Sequence, residues 1–150
     1  MNRDKLKALY LKYELTAEDI FTKDIGNSSF TIITRQGIDK IQGIEKIKIE
    51  YDCIKTEPNF ASLKAKAQKG DAYIETFGSA LKGNNYKDGN CNSWYVIEIA
   101  EKRAMSRAVL KLTGFYALGV FGEEESDSFK KPEKKKTTKE ELVTKIKKNV

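Results

Sequence analysis

Histidine is absent from this chain of 150 residues, and cysteine and proline occur only twice each. Without an imidazole there is no Ser-His or Cys-His catalytic pair, and the commonest general base is missing. Cys53 and Cys91 do not form a C-x-x-C pair and have no His beside them, so a structural zinc site is not expected. Reduced thiols in a cytosol are the default for such a pair. No apolar run approaches the roughly 20 residues of a membrane span. The opening stretch MNRDKLKALYLKYELTAEDIF mixes charge with apolar residues and has no uninterrupted apolar core, so neither a secretory signal nor a membrane partner is expected. A phosphate loop, a dinucleotide glycine fingerprint, a metal-ligand cluster and a nucleophile elbow are also missing. Together these absences point away from an enzyme, a cofactor and a resident metal, and toward a cytoplasmic binding protein.

Charge is what the chain has in quantity. A third of its residues are charged, the formal net charge is +6, and the pI is near 9.1. Residues 123–150 hold nine Lys against seven acidic residues, which leaves +2 on that segment and +4 on residues 1–122. A moderately basic body suits an anionic partner. The composition breaks at Glu123, where EEESDSFKKPEKKKTTKEELVTKIKKNV turns to blocks of charge. Residues 1–122 therefore read as one domain, residues 123–137 as a disordered linker, and Thr138 to Glu141 as a capping box opening a short amphipathic helix. That helix has too few apolar residues to fold alone, so residues 138–150 are a candidate contact for a protein partner.

Within the body, Leu6, Leu9, Tyr10 and Tyr13 mark a first helix over 3–13. Gly26–Ser29 is a turn, Phe30–Thr34 a short strand, and Ile38, Ile41 and Ile44 mark a short helix over 35–44. From Lys46 the period becomes two. KIKIEYDCI, FASLKAKA and AYIETFGS are three strands with tight reversals at Glu57-Pro58-Asn59 and Lys69-Gly70-Asp71, the last strand ending at Gly78. The short connections predict an antiparallel meander. Tyr95–Thr113 contains no Gly and no Pro and predicts a long helix closed by Gly114. Ala100, Ala104 and Ala108 give it a narrow stripe of small residues that matches Ala61, Ala65 and Ala67 on the middle strand. The fold class is therefore α+β: a three-stranded antiparallel meander packed by a long helix, a β-β-β-α core with helices before it.

Arg103, Arg107 and Lys111 repeat at helical spacing and are placed to follow phosphates along one side of the long helix. Lys64 and Lys66, with Lys48, give the sheet a basic outer side. The polar connection LKGNNYKDGNCNS carries Lys82 and Tyr86 and leads to Trp94, the chain's single tryptophan. Tyr86 and Trp94 are candidates for stacking on unpaired bases. These eight residues form the candidate DNA-binding set.

The segment Glu75-Thr76-Phe77-Gly78-Ser79-Ala80 resembles a strand end of the single-strand DNA annealing proteins, the Erf-like and Red-beta-like phage recombinases and the eukaryotic strand-annealing mediator. Ala100-Glu101-Lys102-Arg103-Ala104-Met105-Ser106-Arg107-Ala108 is similar to the helix after it in that superfamily, and Gly119–Glu125 to its apolar-then-acidic close. The resemblance covers roughly residues 46–125. It implies binding and annealing of single-stranded DNA without nucleotide hydrolysis, on a ring or helical homo-oligomer, with Arg103, Arg107 and Lys111 neutralising the DNA backbone. On that model, replacing Arg103 and Arg107 by Ala weakens binding and leaves the fold intact. Three alternatives stay open: a module that meets an acidic protein, a plain single-strand coating protein, and a divalent-metal nuclease using Glu98, Glu101 or Glu123–Glu125.

Overall fold

The computed structural model describes residues 3–84, 88–127 and 129. The core is the expected one. Strands β3 (Lys48–Glu57), β4 (Phe60–Lys69) and β5 (Ala72–Leu81) form an antiparallel sheet in the order β3-β4-β5, and the long helix α3 (Val96–Leu112) lies across one face of it. Helices α1 (Arg3–Lys12) and α2 (Arg35–Glu45) precede the sheet. The third strand runs three residues past Gly78, to Leu81.

Small side chains on both partners set how close α3 comes. Ala61, Leu63, Ala65 and Ala67 alternate inward on β4, and Ala100, Ala104 and Ala108 are fully buried on α3. The crossing falls on Gly78. A Cβ there would stand 2.3 Å from the Ala100 carbonyl oxygen and 2.5 Å from the Ala104 nitrogen, so only glycine admits the helix backbone. Beside it the buried Thr76 hydroxyl donates to the Ala104 carbonyl at 2.6 Å, fixing the helix along the strand. Tyr13, Ile38, Ile41, Ile47, Val109, Leu110 and Phe115 fill the other end of the core.

A second sheet is absent from the sequence-based expectations. Strands β1 (Ile20–Ile25) and β2 (Ser28–Ile33) form an antiparallel hairpin whose turn includes Gly26 at φ 60. After a 3-10 turn at Tyr116–Leu118, strand β6 (Val120–Gly122) pairs parallel to β2. This sheet returns the chain beside α2, and Gly122 lies against Ser106 of α3.

The body does not end at Gly122. Glu123–Ser126 form a helical turn, α4, in which Glu125 and Ser126 are buried. The Lys23 ammonium donates to the Ser126 carbonyl at 2.7 Å, and Phe129 packs against Phe30 and Phe121. The linker expected from Glu123 onward thus begins with residues docked on the domain. The expected helix over 138–150 lies outside the described residues.

Candidate nucleic-acid interface

Two of the eight sequence-predicted residues meet at the start of α3. Lys82 directly succeeds β5 and is tied to Cys91 by an isolated β-bridge, while Leu81 is clamped by Asn90: its N–H donates to Asn90 Oδ1 at 2.7 Å, and its carbonyl accepts from the Asn90 and Cys91 nitrogens. The close approach requires Gly89, where a Cβ would stand 2.3 Å from the Leu81 carbonyl oxygen. This tie returns the connection to the end of β5 and sets Lys82 Nζ 5.0 Å from the centroid of the Trp94 ring. Trp94 is 65% exposed, Tyr95 71% and Ile97 41%, so the indole beside the half-buried Lys82 is followed by two further exposed side chains at the start of α3. Tyr86 lies outside the described residues.

Lys64 and Lys66 stand on the sheet face away from α3, as expected. They are not isolated cations: Lys64 Nζ is 3.4 Å from Glu75, and Lys66 Nζ is 3.3 Å from Asp52. Exposed pairs of this kind contribute little to stability and exchange readily. Lys64 also sits 5.9 Å from the centre of the Phe77 ring, which is half exposed, as is Tyr73 on the same strand. The Tyr73 hydroxyl donates to Glu75, and this bond pushes the phenol up to about 12 and holds the Glu75 carboxyl below its ordinary value. The face is therefore aromatic and of mixed charge rather than basic.

The arginines of α3 differ from the expected basic stripe. Successive helical residues are rotated by about 100°. With Ala100 and Ala104 set on the sheet, Arg103 and Arg107 fall on the flank that overhangs the outer edge of β5. Arg103 is only 4% exposed. Its guanidinium donates to the carbonyls of Ser79, Asn90 and Glu124 at 2.8–2.9 Å and to Asn90 Oδ1 at 3.1 Å. Arg107 donates to the Phe77 carbonyl at 3.0 Å and to Glu125 Oε2 at 2.9 Å, while its buried Nε has no partner among the described residues. Both residues thus close the β5 edge from Phe77 onward, and the Asn90 clamp continues the closure to Leu81. Lys111 stays at the surface, 5.2 Å from the Tyr116 ring centre.

The acidic close is bound up with Arg35 of α2 and Arg107 of α3, a link that sequence reasoning missed. Glu123 accepts from the Arg35 backbone N–H at the start of α2, Glu124 from the Arg35 side chain at 2.9 Å, and Glu125 from Arg107. Carboxylates engaged in this way are anchors for α4. Among the described residues no cluster of His, Cys, Asp or Glu is placed to hold a metal ion. A cleft of about 340 Å³ lies between β5, α3 and α4, lined by Ser62, Phe77, Ser79, Asn90, Arg107 and Phe129 among others.

No protein-family model, curated protein or solved structure matches this chain. Among the described residues no helix is long and apolar enough to cross a membrane.

Proposed function

We propose that the protein binds single-stranded DNA at the Lys82–Trp94–Tyr95 patch and assists the annealing of complementary strands in a phage-like recombination system, without nucleotide hydrolysis or a cofactor. The observation that carries this reading is the exposed indole with an ammonium over its ring. Bases inside a duplex are already stacked, so an outward-facing Trp and Tyr select unpaired ones, and each such stack contributes about 1–3 kcal/mol. Lys82, at the end of β5, supplies the charge for the adjoining phosphate. A strand held by its backbone and a few stacked bases keeps its other bases open to pairing, which is the physical requirement for annealing. Arg103 and Arg107 act in this account as the frame that fixes the patch, not as phosphate ligands. The two unpaired thiols, one exposed and one buried, suit a cytosolic setting.

The test is binding of labelled single strands by the wild-type chain and by Trp94→Ala and Lys82→Gln, and then mixing with the complement. Trp94→Ala is expected to weaken binding by about 5- to 150-fold, and duplex formation to slow in parallel. Equal affinity in all three proteins removes the patch from the site. Binding without faster pairing reduces the function to coating. A second reading, contact with an acidic protein, would set Lys82 against the partner's carboxylates and the exposed Ile97 against its apolar side chains; capture that survives nuclease treatment, with no oligonucleotide binding, establishes it instead.

A further inference from the structure

The two edges of the main sheet are treated differently. The β5 edge is closed from Phe77 to Leu81 by Arg103, Arg107 and Asn90, whereas no element of the described residues pairs with any part of the outer edge of β3. Every residue of β3 from Asp52 to Glu57 is exposed, Ile54 among them at 55%. Ten residues of unpaired strand are a template for another strand.

We propose that the β3 edge is the docking site for a second copy of this chain, paired antiparallel about a twofold axis at Asp52. Glu50 pairs with Lys66 and Asp52 with Lys64; then the register shifts between Cys53 and Lys55, so that Lys55 pairs with Ser62 and Glu57 with Phe60. The bulge inserts one extra residue, Ile54, and reverses the parity of the residues beyond it. Lys48, Glu50, Asp52, Lys55 and Glu57 consequently all lie on the open face, opposite the buried alanines. Opposed residues of an antiparallel pair share a face. With Asp52 on the axis, Lys48 meets the second copy near its Glu57 and Glu50 near its Lys55, the bulge taking up the one-residue offset, and symmetry makes each pair twice.

Neighbouring registers lack this complementarity. An axis at Tyr51 sets Lys48 near Lys55 and Glu50 against Asp52, and an axis at Cys53 sets Glu50 near Glu57. The like pair of Asp52 residues on the proposed axis is offset by Lys66, 3.3 Å from Asp52 within each copy. Pairing of β3 with β3 uses the same edge on both copies, so this contact closes at two copies in one six-stranded sheet. The proposal does not rest on the nucleic-acid reading.

Sedimentation of the full chain across micromolar to submillimolar concentrations tests it, with a species of twice 17.0 kDa expected. Lys48→Glu, or Glu57→Lys alone, is expected to raise the dimer dissociation constant about tenfold, since two attractive cross-strand pairs become repulsive, and the double swap is expected to restore it. In a Cys53→Ser background, Asp52→Cys is expected to give a disulfide-linked dimer on oxidation with diamide, because position 52 opposes itself. A chain that stays at 17.0 kDa throughout, a dimer indifferent to the charge swaps, or a dimer that the Asp52→Cys thiol does not cross-link overturns the proposal.

Discussion

Replacing Arg103 by Met is expected to destabilise the domain far more than a surface arginine substitution does. The side chain is buried, and its three nitrogens donate to the carbonyls of Ser79, Asn90 and Glu124 and to Asn90 Oδ1. Methionine fills much of the volume but donates nothing, so several buried acceptors lose a charged donor together. A single orphaned acceptor costs about 1–3 kcal/mol, and removing one partner from a buried ionic network costs about 3–5 kcal/mol. Because the acceptors share one guanidinium their costs do not add, and about 3–5 kcal/mol is the expected total. For a chain of this length that is a fall in Tm of about 10 °C or more. Thermal and urea unfolding monitored by circular dichroism measure it. Arg103→Lys, which keeps the charge but has one nitrogen for acceptors on three sides, is expected to fall between Met and wild type. An Arg103→Met protein within about 2 °C of wild type would refute the reasoning and return Arg103 to the list of phosphate ligands.

Gly78→Ala forces a methyl into the α3 backbone, which cannot step aside as a side chain would; a loss of at least about 2 kcal/mol in urea unfolding is expected, and an unchanged midpoint contradicts the close crossing. Asp19 is fully buried; burial alone would raise its carboxyl, but hydrogen bonds from Lys40, the Thr16 N–H and Gln36 prevail and hold it at about 2. A carboxylate held below its unfolded value stabilises the fold above roughly pH 4 and ceases to do so as pH falls toward 2. Asp19→Asn is therefore expected to be less stable at neutral pH and to lose less stability than wild type between roughly pH 4 and pH 2. Parallel pH profiles of the two proteins contradict that account.

The core was legible because its signals are local. The alternation in FASLKAKA and the alanines spaced four apart on α3 are each contained in one element, and small residues on both surfaces suffice to predict a close crossing. Strand β1 was missed because IFTKDI buries only Ile25, so it has no period to read. Strand β6 was missed because three residues paired in parallel to a strand some ninety positions earlier leave no local trace. The same distinction divides the site. Lys82 and Trp94 are near in sequence, and the Asn90 clamp brings them together. Arg103 and Arg107 have their environment decided by where α3 crosses the β5 edge and by Glu124 and Glu125 returning from β6. Helical spacing shows which residues share a side of a helix, but not whether that side overhangs a strand edge. The acidic run after an apolar strand was the available hint, since carboxylates that close a domain need cations, and Arg35, Arg103 and Arg107 precede them.

Trp94 is the only tryptophan in the chain, so its fluorescence reads the proposed site with no label. Titration with single-stranded oligothymidylate at low salt is expected to quench its emission saturably, with the logarithm of affinity falling linearly in the logarithm of salt as counterions are released. Duplex of the same length is expected to leave the emission nearly unchanged. Emission that does not respond to single strands, or responds equally to duplex, contradicts a stacking site at Trp94.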